Sequence, residues 1–170
     1  MQNYIFCVFL LTQFVINHMK KSIITLFFLT AFIGLTMAQN TLNNKADNII
    51  GTYKAKQGDD LFKASITKQA DGTFKGQMVW LENDRDAQGN KLLDEKNPDK
   101  SLRDVPCDQI ILFEGLQYNA KHRRWDGTKI YDPQRGIRAN LRIEFTDKGQ
   151  LKLKGTLLGI GETVYWDKVK

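Results

Sequence analysis

Ile137-Arg138-Ala139-Asn140-Leu141-Arg142-Ile143-Glu144-Phe145 and Leu151-Lys152-Leu153-Lys154-Gly155 alternate apolar or small residues with polar ones without a break. A period of two is the spacing of a strand with one buried face and one wet face. Between the two runs lies Asp147-Lys148-Gly149, a three-residue loop with glycine available for the left-handed position. With that loop Phe145 opposes Leu151 and Ile143 opposes Leu153, while Glu144 meets Lys152 on the wet side. Every apolar residue keeps its face, and a one-residue slip would turn all of them outward. The segment therefore reads as an antiparallel hairpin.

The same pattern stands upstream. Phe62, Ala64 and Ile66 alternate with Lys63, Ser65 and Thr67, and Phe74, Gly76, Met78 and Trp80 alternate with Lys75, Gln77 and Val79. The loop Ala70-Asp71-Gly72 sets Phe62 against Trp80, Ala64 against Met78 and Ile66 against Gly76. A two-residue turn would bury Gln77 instead, so the pattern selects the longer loop. Further strands are expected over 49–55, 110–117, 125–131 and 162–169. That makes eight sequential strands joined by short turns, and no long stretch shows helical spacing. Closing such a meander removes the exposed edges that an open sheet must manage. The expected fold is all-β, an eight-stranded antiparallel up-and-down barrel. At this strand number the interior either fills with side chains or holds one small ligand. The segment 125–132 carries polar residues on both faces, which implies that Asp126 or Lys129 points inward or that the strand lies at an edge.

One connection is long, the 25 residues Glu82 to Pro106. Loops of this length tend to be functional. Asn97-Pro98-Asp99 opens a short turn over Lys100 to Asp104, which Val105-Pro106 stops, and the loop is expected to lid or buttress one barrel end. Asp84-x-Asp86-x-Gln88-Gly89-Asn90 with Glu95 has the spacing of a calcium loop. Against calcium stand Lys91 at the eighth position and the lack of flanking amphipathic helices, so a solvated turn is favoured and no metal site is assigned.

The amino-terminal part has a different character. Met19-Lys20-Lys21 supplies a basic start, Ile23 to Leu35 an apolar run, and Thr36-Met37-Ala38 small residues suited to cleavage. Residues 1–38 read as a signal-peptide region with initiation at Met19 and cleavage after Ala38, residues 39–48 as a polar lead, and 49–170 as one barrel domain. Neither apolar run reaches the ~20 residues of a membrane-spanning helix. The expected location is periplasmic or secreted, with no stable membrane insertion after cleavage. Of 170 residues 132 then remain, and removing Lys20 and Lys21 from 25 basic residues leaves 23 against 19 acidic ones, a net charge of +4.

The shortened chain has one cysteine, Cys107, and one histidine, His122. An intrachain disulfide and a His/Cys zinc cluster are excluded. Cys107 precedes an apolar strand and reads as a buried, inert thiol; His122 sits in a cationic turn. Gly-x-Ser-x-Gly, His-Glu-x-x-His and phosphate-cradling glycine motifs do not occur. Basic residues at Lys121, Arg123, Arg124, Arg138, Arg142, Lys152 and Lys154 are interspersed with acids. This favours a solvated face over nucleic-acid binding, although such a face could meet anionic head groups or glycans.

Gly51-Thr52-Tyr53, Trp80-Leu81, Asn97-Pro98-Asp99 with Leu102-Arg103, Trp125-x-Gly127-x-x-Ile130-Tyr131-Asp132-Pro133-x-x-Gly136, and Leu151-x-Leu153-x-Gly155 with Trp166 together resemble the bacterial family called domain of unknown function 2147. The resemblance spans nearly all of 49–170, and its most specific parts are Ile-Tyr-Asp-Pro and Asn-Pro-Asp. It implies a small exported protein of Gram-negative bacteria with a lipocalin-like barrel and no established activity. Gly51-x-Tyr53 is similar to the lipocalin Gly-x-Trp start. The chain departs from relatives at Ile137-Arg138-Ala139, at Ile160, and in having only Cys107 where some carry a cysteine pair.

The resulting expectation is a non-enzymatic barrel that binds a small apolar or amphipathic ligand, with the long loop over one mouth. Its expected contacts are Trp80, Trp125 and Tyr131, and it needs no cofactor. A protein-interaction module using the barrel exterior is the alternative. A hydrolase using Asp126 and Asp132 comes last.

Overall fold

The computed structural model describes residues 41–58 and 60–169; the signal region read at 1–38 lies outside them. Eight strands follow one another in order: β1 (Gly51–Gln57), β2 (Asp60–Lys68), β3 (Phe74–Leu81), β4 (Ile111–Asn119), β5 (Arg124–Asp132), β6 (Ile137–Phe145), β7 (Leu151–Leu157) and β8 (Ile160–Lys168). Each is antiparallel to the next, and β8 returns to β1 to close the barrel. Among the described residues, no helix is long and apolar enough to cross a membrane.

The β6–β7 hairpin has the register that alternation dictates: Phe145↔Leu151, Glu144↔Lys152 and Ile143↔Leu153, with Gly149 at φ 79°. Lys152 Nζ lies 2.8 Å from Glu144 Oε1 on the wet face. In the β2–β3 hairpin Ile66↔Gly76 and Ala64↔Met78 hold as expected, but a bulge then shifts the register to Lys63↔Trp80 and Phe62↔Leu81. One extra residue on a strand reverses the facing of everything beyond it. Trp80 therefore leaves the inner face, is 40% exposed, and lies under the Lys63 ammonium at 4.8 Å.

A second bulge resolves the polar residues of β5. The pairing jumps from Trp125↔Ile143 to Thr128↔Leu141, so Asp126 and Gly127 stand against Arg142 alone. Gly127 takes φ 90°, a region costly for any residue with a Cβ. Trp125 faces in, and both Asp126 and Lys129 face out. The expectation that one of them points inward is thus corrected; β4 pairs with β5 over Arg124 to Asp126, and from Thr128 to Asp132 the ladder partners of β5 lie on β6.

Much of the aromatic core lies toward one end of the barrel. Tyr53, Phe62 and Trp166 meet there, with ring centroids 6.5 Å apart for Tyr53–Trp166 and 5.7 Å for Phe62–Trp166. Trp125 packs on Tyr118 and Phe145 at 5.2 and 5.8 Å. Two short 3-10 turns, Thr41–Asn44 and Ala46–Ile49, cover this end. Asn43 accepts from the Phe145 N–H at 2.7 Å and donates to its carbonyl at 2.9 Å, and Tyr53 donates its hydroxyl proton to the Ile49 carbonyl at 2.8 Å. The polar lead is thus a plug. Asparagine makes it one, because its amide offers both a donor and an acceptor to a strand end.

Candidate functional site

The three aromatics expected to share a ligand are not brought together. Trp125 is fully buried at the plugged end, where its indole N–H donates to the Ala46 carbonyl at 3.0 Å. Tyr131 lies six residues further along β5, roughly 20 Å at strand rise, and the bulge gives it the outward facing of its partner Arg138. Trp80 is on the outer face of β3.

Tyr131 is nonetheless only 1% exposed, because the long connection folds against the outside of the barrel. Its hydroxyl donates to Asp94 Oδ1 at 2.7 Å, and Asn97 Nδ2 donates to Asp94 Oδ2 at the same distance. Asn97 also accepts from the Asp99 N–H and, through its carbonyl, from Arg103 Nε. Lys96 donates to the Gln134 carbonyl at 2.8 Å, and the Lys96 carbonyl sits where a Cβ on Gly136 would stand. Arg138 covers the Tyr131 ring at 5.0 Å. The two most specific stretches of the resemblance, Ile130-Tyr131-Asp132-Pro133 and Asn97-Pro98-Asp99, are therefore joined through Asp94. Their shared work is to fasten the loop to the barrel wall. The connection buttresses the β5–β6 corner from the outer face. Asp94 carried no sequence signal, since nothing in its neighbours marks it as buried.

The calcium-like spacing has a simpler use. Asp86 Oδ1 accepts from the Gln88 and Asn90 N–H groups at 2.9 and 2.8 Å, closing a tight turn with Gly89. Asp84 is taken by Lys91, which also reaches Asp108, both at 2.5 Å. Among the described residues no cluster of three metal-ligating side chains occurs. Cys107 is half-buried; burial and the nearby Asp94, Asp108 and Glu95 carboxylates push its thiol up. An elevated thiol is a poor nucleophile at neutral pH.

The opposite end of the barrel is built differently. Leu141 faces in, so its partner Gly155 and, across from it, Glu162 do too. By the same alternation Leu157, Ile160 and Val164 belong to the inner face, yet they are 41%, 79% and 38% exposed. Gly155 leaves room beside Ala139 and Ile130. Closure is confined to the plugged end, where β1 and β8 pair at Tyr53↔Lys168 and Lys54↔Asp167; nearer the mouth Ile160 to Trp166 pair with β7 alone. At the rim Arg135, from the β5–β6 turn, reaches Glu162 at 2.6 Å and Asp132 at 3.5 Å. The Arg135 guanidinium holds the Glu162 carboxyl below its ordinary value. This end therefore combines an open apolar inner wall with a charged clasp, a pairing suited to a molecule with one oily part and one polar part.

Residues 51–168 match the family DUF2147, described as an uncharacterized protein conserved in bacteria. The chain belongs to this family. Among solved structures the DUF2147 chain is similar to HP1028 from the human pathogen Helicobacter pylori, a protein described as belonging to the lipocalin family. The TM-score is 0.57 at 20% identity, covering 72% of this chain and 83% of that one. At that identity the likeness is one of fold, a lipocalin-like barrel. None of the curated proteins matches the chain.

Proposed function

We propose that this DUF2147 chain is an exported, non-enzymatic barrel that holds a small amphipathic molecule at its open end. The observation that carries the reading is the set of inward-facing apolar side chains left exposed there, Leu157, Ile160 and Val164, beside the Arg135–Glu162 clasp. An apolar tail would lie along the inner wall of β7 and β8, and its polar head would meet Arg135. The lipocalin-like fold supports this, since an eight-stranded barrel whose interior is not filled by its own side chains can hold one small ligand. The plugged end supports it too, because its packed aromatics would stop a ligand short of Trp166.

Trp166 provides the test. It is the next inward residue after Val164 on β8, so a fatty acid brominated along its tail should quench Trp166 fluorescence as it binds. Ile160→Lys, at a 79% exposed position, should weaken binding by about tenfold or more with no loss of Tm. Unquenched wild-type protein, or equal affinity of the variant, would sink the proposal.

Export is part of the same reading and rests on the Met19-Lys20-Lys21 start and the apolar run to Leu35. Protein recovered from outside the cytoplasm should begin at Gln39 when sequenced from its amino terminus. Cytoplasmic protein retaining residues 19–38 would contradict it.

A further inference from the structure

On the outer wall of β5, β6 and β7 lies a groove of about 550 Å³, far from the apolar inner wall of the mouth in chemistry. The β5 bulge brings the bare backbone of Gly127 to this surface. Around it stand the side chains of Asp126, Lys129, Asn140, Arg142, Lys154 and Thr156.

The charges in this groove are arranged against their own stability. Arg142 and Lys154 are direct cross-strand partners, and Lys129 is paired with Asn140, one step along the same outer face. Like charges placed opposite each other in a sheet are destabilising. The next outer pair on the same two strands, Glu144 and Lys152, is complementary and bonded at 2.8 Å, so the hairpin accommodates a proper ion pair where stability alone decides. Lys129, Arg142 and Lys154 form no ion pair with any described carboxylate. The one acid in the groove, Asp126, is held by Arg124 at 2.7 Å and does not relieve them. Gly161 on β8 leaves the space that the Lys154 stem occupies. Asn140 and Thr156 add neutral hydrogen-bonding groups beside the cations.

We infer that this groove is a binding site for a phosphate-bearing ligand, with Arg142 as its forked donor and Lys129 and Lys154 as point charges on either side. Guanidinium matches two phosphate oxygens at once, and three unrelieved cations in one concavity fit a diphosphate better than a single carboxylate. The inference is independent of ligand binding at the mouth. A soluble phosphate compound and a phosphorylated lipid head group share this chemistry.

The mature protein is titrated calorimetrically with inorganic pyrophosphate and, separately, sedimented with vesicles of phosphatidic acid diluted in phosphatidylcholine. Binding to either should be seen at low salt, and Arg142→Gln plus Lys154→Gln together should weaken it by about tenfold or more. Lys121→Gln plus Lys148→Gln, which removes the same charge at two exposed turns, should leave it nearly unchanged. Pyrophosphate binding with this pattern assigns a soluble ligand, and vesicle binding alone with this pattern assigns a head group. Binding to neither probe, or equal loss in the control pair, overturns the site. The groove pair should melt at or above the wild-type Tm because a repulsion has been removed; a lower Tm would show the cations to be structural supports and overturn it as well.

Discussion

Trp125→Ala is expected to cost about 3–5 kcal/mol, the range for deleting a large buried aromatic. The ring is fully buried between Tyr118 and Phe145, and its N–H satisfies the Ala46 carbonyl. Truncation opens a cavity and also frees the second 3-10 turn of the plug, which Trp125 ties to β5. Domains of ordinary size have about 5–15 kcal/mol in all, so the variant should show a greatly lowered urea midpoint. Trp80→Ala is the internal control. It removes a 40% exposed ring whose main partner is the Lys63 ammonium, an interaction worth about 0.5–1 kcal/mol at such a site. Equal losses in the two variants would mean that Trp80 packs inside the barrel and that β2 and β3 pair without a bulge.

That contrast also marks where pattern reading stops. Alternation locates all eight strands and the exact partners in β6–β7, because there each residue has one opposite number and the apolar face is unbroken. It misplaces Trp80, since a bulge adds a residue without changing composition; Val79 and Trp80 read as one out and one in whether or not the register has slipped. The same happens on β5, where Trp125 and Tyr131 have equal parity in sequence and opposite facing in the barrel. Gly127 was the available signal, a glycine inside a strand with polar neighbours on both sides. The open mouth was less accessible still. Leu157, Ile160 and Val164 look like core residues, and only the divergence of β1 from β8 leaves them uncovered. Family-specific motifs pointed to the loop anchor and not to a ligand, because what they hold in common is the Tyr131–Asp94–Asn97 connection.

Asp94→Ala is the second large effect, about 2–4 kcal/mol, because it strands two partners. The Tyr131 hydroxyl and the Asn97 amide both give their protons to this carboxylate in a buried place, and an unpaired buried donor costs about 1–3 kcal/mol. The loss should fall on the loop first, seen as faster amide exchange over 92–107 than in the strands. Tyr131→Phe should cost less, since Asp94 keeps Asn97. A pH profile separates the two further. Burial, followed by the bond to Asp94, pushes the Tyr131 hydroxyl well above its ordinary value, and burial alone does the same for Tyr53. The unfolded chain releases these protons from about pH 10 while the folded chain keeps them. Stability is therefore full below about pH 10 and falls above it, by roughly 1.4 kcal/mol per pH unit for each such tyrosine. Tyr131→Phe should remove one tyrosine's share of that slope. An unchanged slope would mean that Tyr131 is open to solvent and that the loop does not seal the outer face of β5.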